Sequence, residues 1–271
     1  MPELPEVETT LQGIKPHVEG ETIRALIVRE PRLRWPIPSD LPDRLQGQRI
    51  RFIGRRGKYL LFELDRGFLI LHLGMSGSLR VLEEGQTPRK HDHWDLVLGC
   101  GRILRYHDPR RFGCLLFTEE DPAQHVLIRS LGPEPLSPDF DGEWLYQQSR
   151  GSKVRVKTFI MNARQVVGVG NIYANESLFR AGISPRRQAG VVGRAAYLRL
   201  AKAIQAVLSA SIAQGGTTLR DFVNSSGQPG YFRQTLAVYE RAGEPCRTCG
   251  CAIKTERQAQ RSTYWCPNCQ T

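Results

Sequence analysis

Four cysteines near the C-terminus have a spacing that dictates chemistry directly. They fall as Cys246-x-x-Cys249 and, sixteen residues on, Cys266-x-x-Cys269. Two intervening residues let one tight turn aim both thiolates at a single point, and a hairpin between the pairs brings the second pair opposite. That is the pattern of a tetrahedral four-thiolate zinc site. Four sulfurs close the coordination shell, so one Zn2+ held there is structural and not a Lewis acid. Cys251, beside the first pair, is a surplus thiol. The hairpin also carries Lys254, Arg257 and Arg261, long cations that a metal staple would hold in place.

The other end, MPELPEVE, offers a different chemistry. Pro2 is small, so Met1 is expected to be removed, which leaves a secondary amine with an unperturbed pKa of roughly 7.7–8.0. The positive end of a helix lowers that value, and Glu3 and Glu6 raise it. The unprotonated fraction can attack a sugar C1′ and form an iminium. Taken alone, Pro2 also suits a plain helix start, and Glu3 a helix-terminal acid. Lys58 follows Arg55-Arg56-Gly57 and fits a solvated strand end. Met75 and Phe112 suit a core. Arg110 and Arg111, directly after Asp108-Pro109, are hard to bury, so that turn is expected at the surface. His91 and His93 could pair on a metal, but no third ligand is clearly placed.

The elements that must position these residues divide the chain. Residues 3–15 have Pro and Glu in the first turn and a Val7, Leu11, Ile14 stripe, which predicts a helix. Apolar runs at 22–29, 49–54, 58–64, 67–73, 94–100, 102–107 and 113–118, separated by Gly, Asp and Pro, predict strands of an antiparallel sandwich or barrel. Pro133, Pro135 and Pro138 mark a linker near 132–142. Helices are predicted over 170–183, ending at Gly182, and over 194–214, ending at Gly215-Gly216. The fold class is therefore α+β, with strands first and helices after.

Composition narrows the function. The chain has 271 residues, 38 Lys and Arg against 27 Asp and Glu, and a net charge of +11. Residues 1–150 hold 21 basic and 22 acidic side chains; residues 151–271 hold 17 and 5, so the excess lies wholly in the second half. Such a block is expected to meet polyanions, with affinity that falls as salt rises. No apolar run approaches the roughly 18 residues of a membrane helix, and the acidic start lacks a secretion signal, so the cytosol is the expected compartment. Seven cysteines without such a signal argue against a disulfide framework.

The sequence resembles the formamidopyrimidine-DNA glycosylase family, more than its endonuclease VIII sibling, over nearly its whole length. The matching blocks run in order: 1-MPELPEVE-8, 57-GKYL-60, 72-HLGMSG-77, 91-HDHWDL-96, 108-DPRRFG-113, 168-GVGNIYANE-176, 215-GGTTLRDF-222, 227-GQPGYF-232 and 260-QRSTYWC-266. The resemblance implies a catalytic β-sandwich domain at 1–131, a linker at 132–149, a helix–two-turn–helix domain at 150–235 and a zinc-finger hairpin at 236–271. It implies a monomer acting on damaged double-stranded DNA in the bacterial cytosol, with no membrane. The duplex would lie across a cleft between the domains. The implied activity is excision of 8-oxoguanine and formamidopyrimidines, then strand cleavage. Pro2 matches the nucleophile, Glu3 the catalytic acid, Lys58 the proton donor for β-elimination, and Arg261 the arginine of δ-elimination and phosphate grip. Met75, Arg110 and Phe112 match the triad that fills the hole left by an everted base. His91, Arg111 and Asn171 match further DNA contacts, and 217–232 matches a loop that closes over the purine. Two other readings remain open at this point: activity on oxidised pyrimidines, and a catalytically silent zinc-ribbon DNA-binding protein.

Overall fold

The computed structural model describes residues 2–216 and 235–271. They form two compact units, one of residues 2–130 with 214–216, the other of Leu131–Ala213 with 235–271.

The first unit opens with α1 (Leu4–Val18) and continues through β1 (Ile23–Val28), α2 (Leu41–Leu45), β2 (Ile50–Arg56), β3 (Tyr59–Leu64), β4 (Phe68–His72), β5 (Ser78–Glu83), β6 (Asp92–Leu98), β7 (Arg102–His107) and β8 (Cys114–Thr118). Two four-stranded antiparallel sheets result, in the orders β1-β6-β7-β5 and β2-β3-β4-β8. Period-two alternation selects the inner faces: Leu60, Phe62 and Leu64 of β3 are buried while Tyr59, Leu61 and Glu63 are half-buried. One core joins both sheets to α1, with Ile53, Phe62, Leu71, Trp94, Leu104 and Leu115 packed alongside Val7, Leu11 and Ile14. This is the expected β-sandwich.

Besides the short helix α2, which no sequence signal marked, three elements of this unit depart from the sequence expectation, each for a physical reason. Helix α1 runs past residue 15 through Pro16, because Val18 is fully buried and the Glu19 N–H still finds the Lys15 carbonyl at 3.0 Å. Strand β5 is unforeseen, since Arg80 at its centre looks like a surface residue; its guanidinium instead donates to buried Asp92 at 2.6 Å. Strand β6 begins at Asp92 rather than Trp94, because the polar pair Asp92-His93 is buried and bonded.

The second unit holds α3 (Gly142–Ser149), α4 (Val156–Ile160), α5 (Asn171–Ala181), α6 (Arg194–Ala213) and the hairpin β9 (Lys254–Gln258) to β10 (Arg261–Trp265). Asp141 caps α3 by accepting the Trp144 N–H at 2.7 Å. Between α4 and α5 the chain makes two successive turns, with Asn162 N–H on the Phe159 carbonyl and Gln165 N–H on the Asn162 carbonyl. Helix α5 stops at Gly182, whose φ of 70° is the left-handed cap a glycine supplies without strain. Helix α6 buries Tyr197, Leu200, Ile204, Val207 and Leu208 at helical spacing. Among the described residues no helix is long and apolar enough to cross a membrane.

Candidate active site and nucleic-acid interface

In the first unit Pro2 is buried and directly precedes Glu3, the N-cap of α1. The Glu3 N–H donates to the Glu6 carboxylate at 2.9 Å, and the Val7 N–H donates to the Glu3 carbonyl at 3.1 Å. Both acids are buried, so the helix start that directly follows Pro2 is held in place.

Lys58 shares with Gly57 a two-residue turn joining β2 to β3. Its neighbourhood includes a group sequence reasoning missed. His72, at the end of β4, pairs across the sheet with Tyr59, with ring centroids 4.8 Å apart. Its Nδ1 accepts the Gly74 N–H at 2.9 Å, which leaves the proton of the neutral ring on Nε2. Burial, then the charges of Lys58 and Arg34, push its pKa down to about 4. A neutral N–H donor thus stands close to a lysine; a lone His in 72-HLGMSG-77 carried no such signal.

Two loops distant in sequence meet over Asp108. The turn holding Met75 follows β4, and the loop holding Arg110, Arg111 and Phe112 follows β7. Gly74 has φ 74°, and a Cβ there would fall 2.5 Å from the Gly113 nitrogen, so only glycine lets the two backbones touch. Asp108 is fully buried and accepts four bonds: Ser76 hydroxyl at 2.8 Å, Tyr106 hydroxyl at 3.0 Å, Arg110 N–H at 3.2 Å and Gly113 N–H at 3.0 Å. A Cβ on Gly113 would fall 1.8 Å from the Tyr106 hydroxyl. Above this buried knot Arg110 and Arg111 are exposed as expected, Phe112 is exposed rather than in the core, Met75 is half-buried, and the Arg110 guanidinium lies 5.1 Å from the Phe112 ring centre. His91 has φ 72° and Arg111 φ 56°, strained values for residues with a Cβ, of the kind that collect at functional sites. The His91 carbonyl accepts the Asp108 N–H at 3.0 Å, and His93 Nε2 lies 2.6 Å from the Asp108 carbonyl, so His93 serves this knot.

In the second unit the hairpin turn carries Ala259 and Gln260, both at positive φ, and Arg261 stands exposed just after it. Three buried or half-buried side chains fix β10. Lys157 Nζ donates to the Ser262 carbonyl at 2.9 Å and to Thr263 Oγ1 at 2.8 Å; Asn171 Nδ2 donates to the Ser262 carbonyl at 3.0 Å; Asn175 Oδ1 accepts the Tyr264 N–H at 2.8 Å. Arg261 therefore leaves a rigid base, with Asn171 at the first turn of α5 nearby. Glu176, also missed from sequence, accepts the N–H groups of Ala237, Val238 and Tyr239 at 2.8 to 2.9 Å and anchors the approach to the ribbon.

The four ribbon sulfurs lie within 4.8 Å of one another, with Cys246 to Cys269 at 3.9 Å and Cys249 to Cys266 at 3.4 Å. Sulfurs about 2.3 Å from a tetrahedral zinc stand about 3.8 Å apart, so the donor set fits one Zn2+. N–H groups of Thr248 and Cys269 point at Cys246 and Cys266 sulfur, each at 3.4 Å, as thiolate ligands require. Cys251 lies outside the four, and no other group of three His, Cys, Asp or Glu ligands gathers among the described residues. The stretch 217–232 lies outside the described residues.

A sandwich that opens on a proline at a helix start, and a basic helical unit that ends in a zinc hairpin, define a zinc-bearing α+β enzyme of nucleic acids. Three family models match: "Formamidopyrimidine-DNA glycosylase N-terminal domain" at 1–115, "Formamidopyrimidine-DNA glycosylase H2TH domain" at 131–223 and "Zinc finger found in FPG and IleRS" at 243–271. The formamidopyrimidine-DNA glycosylases of Methylococcus capsulatus and Marinobacter nauticus are 60% and 58% identical over 270 residues, covering 100% of both chains in each case. The MutM (Fpg) crystal structure of Thermus thermophilus superposes with a TM-score of 0.89 at 40% identity, covering 99% of this chain and 98% of the other. A Lactococcus lactis Fpg variant in complex with Fapy-dG-containing DNA gives 0.93 at 33% identity, with 100% of both chains covered. The chain belongs to the formamidopyrimidine-DNA glycosylase family and is a DNA-repair glycosylase.

Proposed function

We propose that this chain is a bifunctional glycosylase and abasic-site lyase that removes oxidised purines, 8-oxoguanine and formamidopyrimidines, from duplex DNA in the bacterial cytosol. Supporting the substrate class, one solved relative holds Fapy-dG-containing DNA and a MutM structure 34% identical to this chain holds carbocyclic 8-oxo-G-containing DNA. The observation that carries the mechanism is Pro2 placed at the positive end of α1 next to a buried acid.

The Pro2 nitrogen attacks C1′ of the everted nucleotide, the glycosidic bond breaks with its electron pair leaving on the base, and the proton shed by the Pro2 nitrogen neutralises the departing base. Glu3 supplies a proton as the sugar ring opens at O4′, giving an iminium between Pro2 and C1′. The iminium draws electrons from C2′, whose proton is lost as the 3′ phosphate departs. The Lys58 ammonium meets that phosphate as a proton donor, with the His72 Nε2–H as a second, neutral donor. Loss of the C4′ proton then expels the 5′ phosphate, and water releases the sugar remnant from Pro2. Arg261 grips phosphate rather than giving up a proton, since a guanidinium stays charged. Asn171 and the first-turn amides of α5 add anion donors. Phe112 enters the stack, Arg110 bonds the orphaned partner base and Met75 fills the remaining space. His91 and Arg111 contact the backbone. The Zn2+ held by Cys246, Cys249, Cys266 and Cys269 fixes the hairpin and takes no part in the chemistry. The chain acts as a monomer, with its sandwich, helical and ribbon domains at 1–131, 150–235 and 236–271 and a linker at 132–149.

Borohydride reduces an iminium to a stable amine, so wild-type protein on an 8-oxoguanine duplex should yield a covalent protein–DNA adduct. Pro2→Gly should lose most of it, and Glu3→Gln should fail on the lesion while retaining some trapping on a ready-made abasic site. A wild-type chain that binds the duplex without being trapped would point to the silent binder.

A further inference from the structure

Glu30 lies at the end of β1 beside the wedge loop, where the functional reading gives it no role. Its carboxylate accepts three bonds from Arg32: backbone N–H at 3.0 Å, Nε at 2.7 Å and Nη2 at 2.7 Å. It also accepts Arg111 Nη1 at 3.3 Å. The Glu30 N–H donates to the His93 carbonyl at 3.2 Å, which ties its backbone to the strand that follows His91. The hydrogen bonds from Arg32 foremost hold its pKa down to about 2, so it is an anion at every working pH. Both of its side-chain partners, Arg32 and Arg111, are cations, and Arg111 belongs to the wedge loop. A fixed anion amid cations that face a polyanion is electrostatically out of place, unless its task is to weaken that contact.

We propose that Glu30 is a specificity-determining residue: by pairing Arg111 and Arg32 it withholds their charge from undamaged duplex and so restrains non-specific binding. Non-specific affinity is almost wholly counterion release, with a logarithmic salt slope of about −0.9 per phosphate neutralised. A cation held by a carboxylate releases no counterion, because the neutralising charge is already part of the protein. The inference rests on the reading that the Arg110–Phe112 loop faces DNA.

The test is equilibrium binding to an undamaged duplex across a salt series, for Glu30→Gln, Arg111→Ala and the double variant, with thermal midpoints to confirm folding. Glu30→Gln should bind about threefold to tenfold tighter near 0.1 M salt and steepen the slope by about one phosphate. The double variant should lose that gain. A loop that lost only its structure would bind more weakly and would not steepen the slope, and Glu30→Asp, which keeps the charge, should stay near wild type. If Arg111→Ala weakens binding while Glu30→Gln leaves affinity and slope unchanged, the proposal is wrong and the loop's orientation stands. If neither Arg110→Ala nor Arg111→Ala alters binding, the loop does not face the duplex and both readings fall.

Discussion

At the scale of single residues, the side chains proposed to touch DNA depend on buried ones that do not. Asp108 is the strongest case: one carboxylate satisfies two hydroxyls and two backbone N–H groups beneath the proposed wedge. Asp108→Ala strands those donors and should destabilise the protein by on the order of 3 kcal/mol, read by denaturant midpoint. Excision of 8-oxoguanine should fall with it, while trapping on a ready-made abasic site is less affected. A variant with unchanged stability would show that the knot is decorative. His72 gives a pH prediction. Its folded pKa of about 4 lies below the ordinary value of 6.5, so the unfolded chain takes up the proton first. Its contribution is complete above about 6.5 and is lost as the pH falls toward 4; an NMR titration should place the ring's midpoint near 4. Pro2, Glu3, Lys58 and Arg261 were nominated because they sit in long matching motifs. Asp108, His72 and Glu176 were not nominated, because their importance lies in partners that only folding brings near.

At the scale of elements, the sequence was clearest where apolar periodicity was clean. Strand β3 and helix α6 appear at the expected positions within a residue or two. Strand β5 and the start of β6 were hidden by Arg80, Asp92 and His93, polar residues that mimic surface until their buried partners are known. Short helices α3 and α4 were missed for another reason. Five to eight residues give too few turns for a period to show, and their stability comes from packing. The ribbon is the element most dependent on something outside the chain. Chelating its zinc should release one metal per chain, unfold β9–β10 and remove the rigid base of Arg261. Cleavage and duplex affinity should then fall together, and both should return when Zn2+ is restored. Glu176→Gln should weaken the same element from the other side, since an amide offers one acceptor oxygen to three N–H donors.

At the scale of the whole molecule, charge and chemistry are segregated. The proposed amine, acid and wedge belong to a sequence half of near-zero net charge, and the excess of +12 to the half that holds the zinc ribbon. Lys58, Lys254, Arg257 and Arg261, each neutralising one phosphate, predict a logarithmic salt slope on the order of −4 for duplex binding. A slope near −1 would mean the basic half is only a solvated surface. The most direct test of the central claim is to locate the covalent bond. Lesion duplex is incubated with wild-type protein and borohydride, the adduct is digested, and the modified peptide is read by mass spectrometry. The deoxyribose remnant should be on the nitrogen of a peptide beginning at Pro2. A remnant on Lys58, or on a chain that still carries Met1, would contradict a mechanism built on the terminal amine.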